Sequence, residues 1–501
     1  MTFSFNLIDQ PWIPCITNDD EFVEWSLYGA LIHAHEIREF NGENPLITAA
    51  LFPMVLALLH RIVEGPATTR DWEHLWNSKA FPKDRIESYF DQWYERFELF
   101  HPEYPFYQAN DDRVKPKSMI HLVHSIGNTG TLFVHENDAT EPKFEPSQSA
   151  RYLITAQMFR TAGLSGLKQK FTDSPFTRGV LFWALGRNLF ETMMLNLFPY
   201  PSSFISIARS ANDAPIWEQS EPFKQRQYPL GYLDYLTWPS NRILLMPEKI
   251  QNRTFVNTMT VAPGLSMAAD ILSPQKRYTS KEDKKKGKVW SFMYFNAEKA
   301  LWRDYHSLIM LDNAETVIPP ATVEWFNHLA SDFFEENSIL HLIAIGMLAD
   351  QAKPIFYRLE KLPLPVSVLR DPYNHSLIAQ AIGYADDVSS KLYSALNSLA
   401  EQVLMRGGDS KPDSGDKRNL IQQWDVVSFY WERLETHFWN LVINVGQRTP
   451  DSMEQWRHIL VESAQDALDE ANKMSGTNSA ALQGQVIAQR VLQSGINKVF
   501  K

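Results

Sequence analysis

The residues between Lys276 and Lys288 form the densest block of positive charge in the chain and could bind a polyanion. The block reads KRYTSKEDKKKGK, in which seven basic residues face only Glu282 and Asp283. The basic residues are Lys276, Arg277, Lys281, Lys284, Lys285, Lys286 and Lys288. Because crowded like charges repel and add no stability to a fold, one interpretation is a flexible loop that holds a nucleic-acid backbone. A solvated loop without a partner would account for the same residues.

The motifs that usually signal catalysis are incomplete in this sequence. Gly407 to Lys417 is glycine-rich like a phosphate-binding loop, but Asp416 follows its last glycine where Lys is needed. Gly163-Leu164-Ser165-Gly166-Leu167 is not a nucleophile elbow, because its second glycine is out of place. His33 and His35 have no third zinc ligand nearby in the sequence. The sequence predicts no catalytic residue, metal or cofactor, although carboxylates that converge only in the fold would escape this search.

Length and composition indicate a folded protein of two or more domains. The 501 residues are 44% hydrophobic and carry a net charge of −11, which argues against indiscriminate coating of nucleic acid but allows a local contact. A single cysteine, Cys15, excludes a disulfide framework and fits the reducing cytoplasm. The N-terminus lacks the charge pattern of a signal peptide, and no uninterrupted apolar run approaches the length of a membrane span. We therefore expect a cytoplasmic protein without a membrane partner.

The elements that must position these residues change in character along the chain. Residues 1–370 show mixed strand and helix patterns, including a helix predicted from Pro175 to Leu197 and a buried helix over 181–200. Residues 371–501 show only helical apolar stripes, separated once by the polar linker 406–419. The stripes cover 378–403, 424–445, 453–474 and 479–500. The predicted fold class is α+β, with a large mixed N-terminal domain followed by a C-terminal antiparallel four-helix bundle.

The opening residues Phe5 to Pro14, FNLIDQPWIP, resemble the start of the large subunit of type I-E CRISPR surveillance complexes, the CasA family of Cascade. Further tracts resemble the family in the same order along the chain. They are His101 to Gln108 (HPEYPFYQ), Gly163 to Gly166 (GLSG), Phe176 to Gly179 (FTRG), Ala300 to Asp304 (ALWRD) and Gly346 to Ala352 (GMLADQA). The predicted C-terminal bundle also agrees with the family architecture.

This resemblance implies that two sites recognise and open target DNA. Gly163, Leu164, Ser165 and Gly166 match a glycine loop that reads the protospacer-adjacent motif from the minor groove, which a backbone without side chains can approach closely. Asp350, Gln351 and Ala352 match a wedge that splits the first base pair, with the neutral Gln351 amide as the inserting group. Asp350 stands where the family tends to have an amide. The corresponding structural alternatives are a turn before a helix for the glycine loop and a helix-capping or exposed glutamine for Gln351.

The resemblance also implies several partners. The polar tract Thr131 to Phe144 matches a loop that anchors the subunit to the 5′ end of the guide RNA and to a neighbouring subunit. Lys284, Lys285, Lys286 and Lys288 fall where the family catches duplex DNA without regard to sequence. Lys276 and Arg277 are the nearest candidates for a lysine that enters the minor groove. The other implied partners are the backbone, small and guide-end-capping subunits and a helicase-nuclease recruited on target binding.

The favoured hypothesis is thus a non-catalytic DNA-recognition subunit that reads the motif and helps to start R-loop formation. One alternative is a nuclease or hydrolase with dispersed active-site residues, which a metal-dependent cleavage assay would reveal. Another is a scaffold that binds only proteins, in which loss of the lysines would leave DNA affinity unchanged.

Overall fold

The computed structural model of the protein describes residues 3–123, 143–285, 287–296, 298–309, 315–330, 332–350, 353–405 and 411–501. The chain folds into two compact units. One consists of Met1–Phe295, Leu311–Phe326 and His341–Lys361, and the other of Asn296–Met310, Asn327–Leu340 and Leu362–Lys501. The second unit combines the C-terminal helical region with two shorter stretches that precede residue 341. The domain boundary after residue 370 stays a prediction.

The strands in the described ranges form three-stranded sheets in which every pair of known register is antiparallel. They are β1 (Ile13–Thr17), β2 (Phe22–Trp25), β3 (Ile37–Phe40), β4 (Lys117–Ser118), β5 (Val180–Leu185), β6 (Asn241–Ile250), β7 (Arg253–Pro263), β8 (Tyr278–Asp283), β9 (Gly287–Phe292), β10 (Val317–Ile318), β11 (Ile339–Asp350) and β12 (Lys353–Pro365). In spatial order the sheets are β2-β1-β3, β4-β7-β6, β10-β8-β9 and β12-β11-β5. The last two carry the basic block and the tract GMLADQA.

Helices are interspersed among these strands up to residue 370 and then follow one another directly. The helices up to residue 370 are α1 (Leu27–Ile32), α2 (Pro45–Val63), α3 (Thr69–Ser78), α4 (Lys83–Trp93), α5 (Pro146–Phe159), α6 (Leu189–Asn196), α7 (Tyr232–Leu236), α8 (Tyr305–Ile309), α9 (Ala321–Ala330) and α10 (Val366–Arg370). The helices beyond it are α11 (Pro372–Met405), α12 (Ser414–Trp424), α13 (Val426–Gly446), α14 (Ser452–Ser475) and α15 (Ser479–Val499). This mixture followed by helices confirms the predicted α+β class.

Helix α2 lies in the core of the first unit. Its N-terminus is capped by Asn44, whose side-chain oxygen accepts hydrogen bonds from the N–H groups of Leu46 (2.9 Å) and Ile47 (3.2 Å). The helix is long and apolar enough to cross a membrane by length and composition, but 94% of its most apolar window is buried inside the protein.

The helix predicted over 181–200 is wrong in its first half, as is the longer helix predicted from Pro175. Residues Val180–Leu185 instead form β5, which pairs with β11 in the register Val180↔Gly346 to Leu185↔His341. All of β5 except Leu185 is buried. A strand buried on both faces shows no apolar–polar alternation, so its sequence cannot be distinguished from that of a buried helix. The second half of the prediction corresponds to α6.

The four C-terminal apolar stripes all lie on helices, as predicted. Helix α11 packs against α13, α14 and α15, while α14 contacts both α13 and α15. The second stripe is divided, however, because Trp424 ends α12 and Asp425 has a left-handed backbone conformation with φ 50° before α13 begins. The predicted linker contributes the start of α12, whose N-cap Asp413 accepts a 2.7 Å hydrogen bond from the Gly415 N–H. Residues 406–410 of that linker lie outside the described residues.

The tract ALWRD contributes to the core of the second unit. Trp302 is fully buried, with its ring centroid 4.6 Å from that of Phe438 and 5.7 Å from that of Trp431. The Arg303 guanidinium lies 3.5 Å from the Trp431 ring centroid and forms a 2.9 Å ion pair with Asp386. This tract therefore supports the helical unit through packing.

Candidate nucleic-acid interface

The glycine loop is closed at its base by backbone hydrogen bonds. The Gly163 N–H donates to the Phe171 carbonyl at 3.2 Å, and the Phe171 N–H donates back to the Gly163 carbonyl at 3.0 Å. Within the loop, the Ser165 hydroxyl oxygen accepts from the Leu167 N–H at 3.0 Å and donates to the Gln169 carbonyl. Ser165 is thus used to hold the loop in shape.

The tip of this loop points away from the protein. Leu164 is 86% exposed, and Gly166 has a φ of +80° with no atom within 4 Å of where a Cβ would lie. Glycine is needed there for its backbone conformation rather than for space. The loop also carries exposed Lys168 and Lys170, which the sequence analysis did not select and which bring positive charge to the predicted reading site.

An ion pair connects the glycine loop to the end of β11. The Asp173 Oδ1 atom accepts a 2.8 Å hydrogen bond from the Ala162 N–H, directly before the loop. The Arg178 Nε atom lies 3.0 Å from Asp173 Oδ2, and its Nη1 atom donates to the Ala349 carbonyl at 3.0 Å. We call Asp173 and Arg178 the clamp. The clamp brings the glycine loop close to the residue that precedes Asp350.

The predicted wedge begins at the end of β11, and β11 and β12 are neighbours in one sheet. Strand β11 ends at Asp350 and β12 begins at Lys353, so Gln351 and Ala352 separate the two strands. Gln351 and Ala352 lie outside the described residues. The described part of the chain therefore gives the positions of the two strand ends, and the roles of the wedge residues stay predictions.

The basic block is an antiparallel β-hairpin rather than the predicted flexible loop. Strands β8 and β9 pair from Tyr278↔Phe292 to Asp283↔Gly287. The turn is held by a 2.8 Å hydrogen bond from the Lys285 N–H to Asp283 Oδ1, and Gly287 has a φ of +70°. The exposed basic residues on the described part of this hairpin are Lys281, Lys284, Lys285 and Lys288. Lys286 lies outside the described residues.

The first two basic residues of the block are buried and are separated from the exposed ones. Lys276 and Arg277 are only 6% and 8% exposed. The Lys276 ammonium donates to the Pro175 carbonyl at 2.9 Å and lies 5.0 Å from the Phe292 ring centroid. Burial lowers the pKa of Lys276 to about 7. In this conformation neither residue presents its charge to a ligand at the surface.

The remaining sequence-predicted features fall outside the described residues or serve the fold. The tract predicted to contact guide RNA, Thr131 to Phe144, lies outside the described residues up to residue 142. At its end, the Phe144 carbonyl accepts a 2.9 Å hydrogen bond from the Val256 N–H. In the tract HPEYPFYQ, buried Gln108 donates to the Leu99 carbonyl at 2.7 Å and accepts from the Leu245 N–H at 2.8 Å. Gln108 thereby joins this tract to β6.

The two histidines of the incomplete zinc motif both lie next to one glutamate side chain. His33 and His35 lie 3.2 and 3.3 Å from the same carboxylate oxygen of Glu36. Among the described residues, no group of three or more His, Cys, Asp or Glu side chains could hold a metal ion.

Three features of the interface were missed by sequence reasoning: the clamp, the loop lysines, and the burial of Lys276. The loop lysines could have been found from the sequence, because they directly follow the glycine-containing tract. The clamp has no such signal, because Arg178 bonds to a main-chain carbonyl 171 residues away.

Comparisons with known proteins agree with the resemblance seen in the sequence. The family model for CRISPR-associated protein Cse1 matches residues 6–467. CRISPR-associated protein CasA/Cse1 of Thermus thermophilus is 30% identical over 499 residues, covering 95% of this chain and 94% of the relative.

Solved structures share the fold. The crystal structure of Thermus thermophilus CasA superposes with a TM-score of 0.80 at 27% identity, covering 99% of this chain and 100% of that one. A chain of a CRISPR RNA-guided surveillance complex has a TM-score of 0.74 at 20% identity, with full coverage of both chains. The matched length and the identity together show that this chain belongs to the Cse1 (CasA) family of CRISPR-associated proteins.

Proposed function

We propose that the protein is the non-catalytic large subunit of a type I-E Cascade complex, which recognises the protospacer-adjacent motif in duplex DNA and helps to start unwinding. Membership of the Cse1 family supports this proposal, and so does the shared fold with a chain of an RNA-guided surveillance complex.

The observation that carries the proposal is the clamp. Motif reading and strand opening must act on adjacent base pairs, because the guide RNA begins to pair next to the motif. Asp173 accepts from the base of the glycine loop, while Arg178 bonds to Ala349, two residues before Gln351. A reader and a wedge connected in this way would contact neighbouring parts of one duplex.

The other elements take the roles that the family resemblance implies. The exposed lysines of the β8–β9 hairpin would hold the phosphate backbone regardless of sequence. The tract 131–144 would contact the 5′ end of the guide RNA and a neighbouring subunit. The C-terminal bundle would pack on the small subunits and help to hold the displaced strand. A helicase-nuclease would be recruited to the DNA-bound complex in the cytoplasm.

The test is binding of the guide-loaded complex to a DNA library with a randomised motif, compared for the wild type and Gln351→Ala. We expect wild-type binding to select a short motif. Gln351→Ala should leave that selection intact but slow opening of the first target base pair, followed by a fluorescent base analogue at that position. An amide-retaining control, Gln351→Asn, should open the duplex at an intermediate rate.

Two outcomes would reject the proposal. Library binding without any selected motif would mean that the chain is not a motif reader. Metal-dependent cleavage by the purified chain, abolished by substitution of an acidic cluster, would favour an enzyme instead. Equal opening rates for wild type and Gln351→Ala would reject the wedge assignment alone.

A further inference from the structure

Strand β9 carries a row of aromatic and basic side chains that leads from the hairpin turn toward the glycine loop. Lys288, Trp290 and Phe292 alternate along the strand and therefore share one of its faces. The Lys288 ammonium lies 4.8 Å from the Trp290 ring centroid. The row continues beyond the strand with Tyr294, whose ring centroid is 4.8 Å from that of Phe292.

Tyr294 is exposed although its neighbours are fixed. Its side chain is 52% exposed, while the supporting Phe292 ring also meets Tyr278 edge-on at 6.1 Å. On either side of it in the sequence, the Met293 carbonyl accepts from the Val180 N–H at 2.9 Å and Phe295 is buried. An exposed ring on a backbone held at both sides is a rigid aromatic surface.

The same contacts place Tyr294 near the C-terminal half of β11. Phe295 lies 3.2 Å from where a Cβ on Gly346 would be, and Gly346 precedes Ala349 by three residues on β11. Three residues of extended strand span about 10 Å. Partial burial raises the pKa of the Tyr294 phenol, and the charges of Arg178, which lowers this pKa, and Asp173, which raises it, also act on the phenol. Tyr294 therefore lies near the clamp and near the end of β11.

We propose that Tyr294 is a stacking platform for an unpaired DNA base released when the duplex opens next to the end of β11, with Trp290 and the hairpin lysines holding the strand that follows. The chemistry is that of single-strand binding, in which aromatic rings stack on bases and nearby cations neutralise phosphates. The exposed lysines supply the complementary charge, and the flat phenol ring accepts any base. This assignment rests on the proposed function.

The test uses the guide-loaded complex and a forked DNA that carries the motif, with 2-aminopurine as the first unpaired base. Such a DNA is already open, so that binding to it does not depend on the wedge. We expect the wild type to quench 2-aminopurine by stacking. Tyr294→Ala should abolish the quenching and weaken fork binding at least about fivefold, the effect of losing one base–aromatic stack.

Two control variants separate stacking from other roles of this residue. Tyr294→Phe keeps the ring and should behave like the wild type, since the hydroxyl is not needed for stacking. Tyr228→Ala removes an equally exposed tyrosine (55%), whose hydroxyl pairs with Asp270, and should leave quenching unchanged. Capture of fully paired motif DNA should be the same for all three variants.

The outcomes that overturn the platform differ from those that overturn the proposed function. Undiminished quenching in Tyr294→Ala, or equal losses in the Ala and Phe variants, would reject stacking on this ring. Equal loss of fork and duplex binding in Tyr294→Ala would indicate a structural or protein-contacting role instead. Failure of the wild type to prefer motif-bearing DNA would reject the proposed function, whatever the behaviour of Tyr294.

Discussion

The phosphate contacts proposed for the lysines of the β8–β9 hairpin can be tested through the salt dependence of DNA binding. Lys284 and Lys285 lie in the turn between β8 and β9, where both are exposed. The double change Lys284→Gln and Lys285→Gln removes two charges but keeps the hydrogen bond of the turn, because the main-chain N–H of residue 285 makes it. The hairpin should therefore stay folded.

The expected magnitude follows from counterion release. Each ammonium group on a phosphate contributes about −0.9 to the slope of log K against log salt, so two contacts contribute about −1.8. Between 50 and 200 mM salt, the wild type should lose about 12-fold more affinity than the double variant. The loss should be the same for motif-bearing and motif-lacking DNA, since phosphates carry no sequence information.

The assay is a titration of labelled duplex DNA with the guide-loaded complex at four or more salt concentrations, read by fluorescence anisotropy. The matched control is Lys83→Gln with Lys224→Gln, which removes two exposed lysines that the proposal does not place on DNA and changes the net charge equally. We expect this control to keep the wild-type slope. Equal slopes for the wild type and the hairpin variant would refute the phosphate contacts, and equal changes in both double variants would show a general effect of net charge.

Three further predictions address the loop, the buried lysine and the helical unit. Gly166→Ala should weaken motif-dependent binding about 5-fold or more, because a side chain with positive φ costs roughly 1–2 kcal/mol, and it should lower the free energy of unfolding by no more than that amount. Gly166→Asn, which tolerates this backbone, should lose less of both. Lys276 has a pKa of about 7 in the folded protein and ~10.4 in the unfolded chain. Between these pH values the unfolded chain binds more protons than the folded protein. The free energy of unfolding should therefore rise from pH 7 to 9 by up to about 1.4 kcal/mol per pH unit. Urea unfolding of Lys276→Met should lack this rise, and parallel pH curves for the two proteins would contradict the lowered pKa. Trp302→Ala should cost about 3–5 kcal/mol in urea unfolding, whereas Tyr393→Ala at an exposed position of α11 should cost less than about 0.5 kcal/mol.

The parts of the structure that follow a local period could be predicted from the sequence. Helices α11, α13, α14 and α15 each bury one stripe, and a stripe that recurs every three or four residues matches the period of a helix and not that of a strand. Strand β5 could not be recognised, because both of its faces are buried and the period is lost. The hairpin was missed for the opposite reason, since its β8 half beyond Tyr278 is polar on both faces.

The candidate interface was predictable as a set of residues but not as a geometry. The family resemblance identified Gly163–Gly166 and the basic block, yet charge alone could not separate buried Lys276 from exposed Lys284 within one run of sequence. The clamp depends on a main-chain carbonyl, and every residue offers one. A contact of that kind becomes visible only once β5 and β11 are paired.

The position of strand β5 in the sequence also affects how this chain folds during translation. This strand leaves the ribosome about 155 residues before β11, its neighbour in the sheet. The hydrogen bonds on the other edge of β5 also form late, because their acceptors are synthesised later. The Phe182 N–H donates to the Gln275 carbonyl, and the Val180 N–H donates to the Met293 carbonyl. At translation rates of roughly 5–20 residues per second, this apolar segment has no partner on either edge for several seconds and lacks β11 for about 8–30 s. We expect the nascent chain to bind chaperones over that interval, and fragments that end before residue 339 to aggregate, because they keep β5 but can never pair it with β11.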